Sequence, residues 1–361
     1  MSKDIAVRQV GPKAAKRAIL TAIQTGRPVF VWGSPGLGKS DIVSQIGQDL
    51  NREVIDVRLA LWEPTDIKGI PYYNPEQGKM VWAPPSELPL DPKSTAIIFL
   101  DELNSAPPAV QAAAYQLILN RRVGTYVLPD GVSIVAAGNR DSDRGVTHRM
   151  PSPLANRFIH IEMTHDVDDW IEWATAHSIH ADVVGYIGFA KQDLYDFDPR
   201  ASLKAFATPR SWHFVSDLVK NPNVDSETML TLICGAIGDG LAGKFVAHRK
   251  IAGKLPNAID VLSGKVTTLE VQEISAKYSL TVSLCYELRE QFNKLGSSDK
   301  WNSMADNFLK FIMGNFETEL VIMGARTALV NFSLPLDPSK LKSFPEFHNR
   351  YAKFIQTAMA R

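Results

Sequence analysis

The eight residues Gly33-Ser34-Pro35-Gly36-Leu37-Gly38-Lys39-Ser40 constrain this chain more than any other stretch. They follow an apolar run at 28–32 and precede a segment in which Ile42, Val43, Ile46 and Leu50 fall on one helical face. A strand that ends in a glycine-rich bend and runs straight into a helix fits G-x-x-x-x-G-K-[ST], a loop whose backbone N–H groups point into one concavity. Such a concavity suits phosphate, and the positive end of the following helix lies beneath it. Lys39 is expected to neutralise phosphate oxygens and Ser40 to offer its hydroxyl to a magnesium ion. Gly33, Ser34, Pro35, Gly36, Leu37, Gly38, Lys39, Ser40 and, in the first helical turn, Asp41 are the expected binding residues.

Around this loop the first 165 residues alternate short apolar runs with helical patterns. The runs at 28–32, 54–59, 96–100, 132–137 and 158–163 predict five buried parallel strands joined by crossover helices, an α/β fold. Two hairpins interrupt the alternation, one at 69–82 around Asn74-Pro75-Glu76-Gln77-Gly78 and one at 121–135 around Pro129-Asp130-Gly131. Beyond 165 the strand signals fade and the pattern is helical, at 170–189, 211–219, 227–246 and onward. Trp301, Met304, Phe308 and Ile312 share one face. The expected division is an α/β core at 1–165, a helical lid at 166–265 and a helical extension at 266–361.

Bulk composition excludes several classes. With 45% hydrophobic and 22% charged residues the chain reads as a soluble globular protein. Lys+Arg and Asp+Glu balance at 39 each, so no overall basic field draws in nucleic acid or anionic lipid. Cys234 and Cys285, without CxxC spacing, read as reduced core residues. No apolar run approaches the ~18 residues of a membrane span, and the N-terminal residues mix charge too evenly for a signal peptide. The expected location is the cytoplasm.

Two further strand ends carry chemistry. The run at 96–104, Ala-Ile-Ile-Phe-Leu-Asp-Glu-Leu-Asn, delivers Asp101 and Glu102 at the carboxyl end of a strand, where open α/β sheets place ligands. Asp101 suits a magnesium shell and Glu102 suits taking the proton of an attacking water. The run at 132–140 ends in Asn139, whose amide can orient water and a terminal phosphate together.

This set, with Leu154-Ala155-Asn156-Arg157-Phe158 and Thr208-Pro209-Arg210-Ser211-Trp212, resembles the AAA+ ATPases. The segment at 100–123 and Thr65-Asp66-Ile67-Lys68-Gly69 are similar to elements of the MoxR family. The resemblance, over roughly residues 10–265, implies ring hexamers with ATP and Mg²⁺ between subunits. It implies a chaperone-like remodelling role on a protein client, with a von Willebrand factor A domain protein as partner. By position Arg157 corresponds to the finger reaching a neighbour's γ-phosphate, and Arg210 to a lid arginine acting in cis. The family often has Asp before the finger, where this chain has Asn156; Arg140, Arg144 and Arg149 are alternatives. Tyr72, Tyr73, Trp82 and Tyr126 on the hairpins are candidate partner contacts. The competing readings are a nucleic-acid motor or loader and a switch without hydrolysis; zero net charge speaks against the first and Glu102 against the second. His165, His177 and His180 are read as surface or packing residues rather than metal ligands. Asp193, Asp196 and Asp198 are read as a solvated loop without the glycine and distal glutamate that calcium requires.

Overall fold

The computed structural model describes residues 8–143, 148, 150–201 and 204–359. They form two compact units, an α/β unit up to Asp166 with a short excursion from Asp198, and a helical unit made of the rest.

In chain order the α/β unit contains β1 (Gln9–Val10), α1 (Pro12–Gln24), β2 (Val29–Trp32), α2 (Lys39–Leu50), β3 (Val54–Arg58), α3 (Pro64–Lys68), β4 (Ile70–Asn74) and β5 (Lys79–Ala83). It continues with β6 (Ile97–Asp101), α4 (Pro108–Asn120), β7 (Arg122–Val123), β8 (Tyr126–Val127), β9 (Ser133–Gly138), α5 (Ser152–Ala155) and β10 (Ile159–Met163). The main sheet has the order β1-β10-β2-β9-β6-β3, with every neighbouring pair parallel. The five expected strands are present. The sixth is β1, a two-residue edge strand pairing Gln9 with Glu162 and Val10 with Met163, too short to show any hydrophobic period. Both sheet faces are covered, so the strands read as continuous apolar runs. On one face Val110, Ala113, Ala114 and Leu117 of α4 join Phe30, Ile98, Leu100 and Ala136 in one buried cluster.

Pairing aligns Trp32 with Gly138 and Arg58 with Asp101, so the carboxyl ends of β2, β9, β6 and β3 lie side by side. That edge carries the phosphate-loop motif, Asn139 and the Asp101-Glu102 pair.

The β4–β5 hairpin forms around Asn74, whose Oδ1 accepts from Glu76 N and Gln77 N. The second hairpin, β7–β8, turns at Gly124-Thr125 and not at Pro129-Asp130-Gly131. Gly124 has φ +55° beneath the Trp82 ring, whose Cγ would lie 3.1 Å from an added Cβ. The Pro129 segment is instead a tight turn leading into β9, with Val132 N donating to Pro129 O at 3.0 Å. Arg121 braces it by donating to the carbonyls of Pro129 and Val132. Tyr126 is not a surface contact: it is buried, its hydroxyl donates to Pro89 O at 2.7 Å, and burial pushes its pKa up to about 12. Tyr72 and Tyr73 are exposed, and Trp82 is half-buried.

The helical unit runs through α6 (Val167–Ala176), α7 (Ala181–Phe189), α8 (Pro209–Val219), α9 (Ser226–Ile237), α10 (Asp239–Ala252) and α11 (Ala258–Leu262). Then come α12 (Ile274–Leu295), α13 (Asp299–Asn315), α14 (Thr318–Arg326) and α15 (Phe344–Met359). The patterns at 170–189 and 227–246 each break into two helices, at Ser178 (φ +56°) and Gly238 (φ +83°). One buried cluster extends from Trp170 to Tyr351 and includes Trp301, Met304, Phe308 and Ile312. His180 caps α7 by accepting from Asp182 N, and His177 stacks on Trp173. Asp193 is not part of a solvated loop: it is buried, accepting from the Tyr186 hydroxyl at 2.6 Å. Cys285 is buried and Cys234 half-buried, both as free thiols. Among the described residues no helix is long and apolar enough to cross a membrane, and no group of three or more His, Cys, Asp or Glu could hold a metal ion.

Candidate functional site

The bend after β2 requires its glycines. Gly36 and Gly38 sit at φ +75° and +84°, where a side chain would be strained, and Gly38 is the N-cap of α2. Leu37 is buried and anchors the loop, while Asp41 is exposed in the first turn of α2. Pro35 lies at mid-loop, half-buried. The Lys39 ammonium donates to the carbonyls of Gly33 and Ser34 and, at 3.2 Å, to Asn139 Oδ1. An ammonium among three oxygens is placed where phosphoryl oxygens could take over those contacts.

Ser40 Oγ donates to Asp101 Oδ2 at 3.1 Å, joining α2 to the end of β6. This hydroxyl and carboxylate could hold Mg²⁺ beside a phosphate. The electrostatics agree. Asp56 on neighbouring β3 has its carboxyl held above the ordinary range, first by burial and then by the charge of Asp101, with Arg58 pulling the other way. A divalent cation would relieve that crowding of negative charge.

Glu102 follows at once and is exposed, with φ +54°. Asn51 and Arg121 also have positive φ, but they cap the ends of α2 and α4. Glu102 turns the chain out of a strand instead, its N–H held by Asp101 Oδ1 at 2.9 Å and its carbonyl accepting from Ser105 N and Ala106 N. A left-handed glutamate at a sheet edge is a local cost of the kind found where function dictates a side chain's direction.

Arg157 is exposed in the turn between α5 and β10. That turn is tied to the phosphate-loop strand through His160: Trp32 Nε1 donates to His160 Nδ1 at 2.9 Å, so the opposite ring nitrogen donates to Ala155 O at 2.7 Å. Arg140 faces inward by comparison, paired with Glu162 at 3.0 Å and donating to Met163 O. Arg144 and Arg149 lie outside the described residues. Arg210 belongs to the helical unit, exposed in the first turn of α8 between the two residues of the Thr208–Ser211 capping box. A cation at a helix N-terminus is electrostatically unfavourable without an anion nearby.

Three residues escape sequence reasoning. Asp143 accepts from Ser34 Oγ at 3.0 Å and from Arg140 N at 3.1 Å, linking the phosphate loop to the loop after Asn139. Asn104 is fully buried and donates to Asn139 O at 2.8 Å. Asp56 is the third. Of the three, only Asp56 carries a signal in the sequence, forming with Arg58 alternate polar positions within the β3 run.

Residues 28–158 match the family profile described as AAA domain (dynein-related subfamily). A midasin from Giardia intestinalis is 30% identical over 206 residues, which is 53% of this chain and 4% of that protein's length. Among solved structures, RuvB of Thermotoga maritima, a Holliday junction branch migration motor, is 16% identical, covering 84% of this chain and 86% of its own at a TM-score of 0.36. NtrX from Brucella abortus in complex with ADP is 13% identical, covering 96% of this chain and 69% of its own at a TM-score of 0.39. The chain thus spans only a small part of that midasin's length. The stretch that matches the AAA domain (dynein-related subfamily) profile holds the phosphate loop at 33–40 and, apart from the short β1 and β10, the strands of the six-stranded parallel sheet.

Proposed function

We propose that this chain is a ring-forming ATPase of MoxR type that hydrolyses ATP to remodel a protein partner. One observation carries the reading: three adjacent strand ends bring Lys39, the Ser40–Asp101 pair, Glu102 and Asn139 to one edge, with Lys39 bonded to Asn139 and Ser40 to Asp101. In this reading residues 33–41 cradle the phosphates and Lys39 neutralises the β and γ oxygens. Mg²⁺, held by Ser40 and Asp101, would supply further neutralisation of phosphate charge. Glu102 takes the proton of the attacking water, and Asn139 orients that water against the γ-phosphate.

Arg157, exposed just before the amino end of β10, acts on the ATP of a neighbouring subunit in a hexamer, and Arg210 contacts phosphate in cis. The helices at 166–265 serve as the lid and those at 266–361 as a docking or oligomerisation surface. The exposed Tyr72 and Tyr73 on the β4–β5 hairpin offer contacts to a client. The von Willebrand factor A partner rests on the family resemblance alone.

The test is subunit mixing. Lys39→Ala alone is expected to lose ATP binding, and Arg157→Ala alone to lose turnover by about 10³-fold while keeping ATP affinity. Mixed, the two should regain part of the turnover, because some interfaces then pair an intact loop with an intact arginine. Arg157→Ala protein hydrolysing ATP at the wild-type rate, or a chain that stays monomeric in ATP, would remove the trans assignment.

A further inference from the structure

We infer that Asn104 is a positioning residue for Asn139, and that through it the site discriminates a triphosphate from a diphosphate. The inference deepens the ATPase reading and rests on it.

Asn104 stands three residues after Asp101, and its side chain leaves the acid loop to reach the neighbouring strand end. It is fully buried, and its Nδ2 donates to the backbone carbonyl of Asn139 at 2.8 Å. The adjacent residue, Leu103, donates its N–H to Ala137 O at 3.0 Å, so the acid loop holds the end of β9 at two successive places. Gly138 lies between them. A Cβ there would come within 2.2 Å of Asn104 Oδ1 and 2.7 Å of Phe30 Cζ, so the bare glycine makes room for the amide. The Asn104 carbonyl is used as well, accepting from His148 N at 2.6 Å.

The amide itself is only half satisfied. Its Oδ1 is buried with no hydrogen-bond partner among the described residues. An orphaned buried acceptor is destabilising, and an apolar side chain of the same shape would remove that penalty. What only an amide supplies here is the donor to Asn139 O. That bond fixes the backbone from which the Asn139 side chain reaches Lys39 Nζ at 3.2 Å. Asn139 is the group assigned to the γ-phosphate, so loosening its backbone should affect recognition of the third phosphate more than the first two. Asn104 therefore acts through Asn139 and touches no substrate.

The experiment uses Asn104→Leu, which keeps the branched shape, with Asn104→Ala as a second variant in case the first does not fold. Fluorescent ATP and ADP analogues are titrated into each, beside steady-state turnover and thermal melting. The expected result is ADP affinity within about threefold of wild type, a loss of about tenfold in the preference for ATP over ADP, and kcat lower by about tenfold or more at little-changed KM. The melting temperature should change little, because losing the orphaned Oδ1 offsets the donor lost by the Asn139 carbonyl, whereas a merely structural role would lower it with nucleotide preference unchanged. A folded variant with wild-type kcat and wild-type ATP preference, or one losing ATP and ADP affinity equally, overturns the inference. A wild-type chain that binds neither nucleotide would instead overturn the reading beneath it, and that result is visible before any variant is made.

Discussion

The two units bury polar groups in opposite ways. In the α/β unit they converge on one sheet edge: Lys39 spans the loop to Asn139, Ser40 reaches Asp101, Asn104 holds Asn139 from below, and Ser34 is tied to Asp143. In the helical unit they are scattered and mostly closed on one another, Trp170 Nε1 and His248 Nδ1 being buried without a partner among the described residues. Lys277, only 1% exposed, pairs with Glu317 at 2.8 Å; Asp306 takes Ser343 and Lys310; Asp193 takes Tyr186; His248 meets Ser279 at 2.8 Å. His248 and Ser279 fasten α10 to α12, and Lys277 ties α12 to the start of α14, while Asp306–Lys310 closes within α13. The difference separates polar groups gathered at one sheet edge, where a ligand could meet them together, from polar groups spread singly through helix packing.

The sharpest way to break this contrast is Glu102→Gln. Glu102 is exposed and its carboxylate is bonded to no group among the described residues, so the variant should melt like wild type and bind ATP like wild type. Turnover should fall by roughly 10²–10⁴-fold, the worth of a positioned general base. ATP hydrolysis within a few-fold of wild type would move Glu102 out of the chemistry and leave its left-handed backbone without a functional account.

Much of this edge was legible because strand, bend and helix each carry their own local signature. The five long strands, the glycines of the phosphate loop and the acids after β6 appear as composition and spacing. What was not legible depends on which strands become neighbours. Asn104 reads as an ordinary loop residue until β6 and β9 pair, and Asp143 as a turn residue until its loop returns to Ser34. The β7–β8 turn was misplaced for a related reason. Pro129-Asp130-Gly131 has the stronger turn composition, yet Gly124 is the residue covered by Trp82, a contact from another hairpin. Asp193 reads as a loop acid because its partners come from the flanking helices, the Tyr186 hydroxyl on its carboxylate and the Trp212 indole on its backbone carbonyl.

A middle-sized effect tests the other half of the contrast. Glu317→Ala leaves the Lys277 ammonium buried, with Gln272 at 3.4 Å and the Phe316 ring 6.0 Å away as its remaining company. Breaking a buried pair costs about 3–5 kcal/mol, but Glu317 is itself 60% exposed and water can reach the lysine's end, so about 1–2 kcal/mol is expected. Melting should drop by a few degrees with nucleotide affinity unchanged, and Lys277→Met should cost less than Glu317→Ala because it removes the charge needing a partner. A Glu317→Ala protein of normal stability but weakened ATP binding would erase the distinction between the units.

The smallest effect is a pH dependence that should fall more heavily on the helical unit. Burial holds His180 and His248 below the usual histidine pKa, with Asp182 pulling each the other way. In the α/β unit His165 is lowered by burial too, the one such histidine among its described residues. A histidine depressed in the fold binds its proton more readily when unfolded, so its contribution is full above about pH 6.5 and is lost as pH falls through the folded value. The slope cannot exceed about 1.4 kcal/mol per pH unit for each histidine. Protonation would also cost structure directly: His180 Nδ1 accepts from Asp182 N at the start of α7, and a charged ring cannot accept. Hydrogen exchange at pH 7 and pH 5 should therefore show amides of α7, α10 and α12 losing protection before those of β2 and β9. His248→Gln should flatten part of that loss while lowering stability at pH 7, where the neutral ring's contact with Ser279 is intact. Equal loss in both units would mean that the helical unit's buried polar groups are no more exposed to acid than those lining the sheet edge, and the contrast would then rest on ligand chemistry alone.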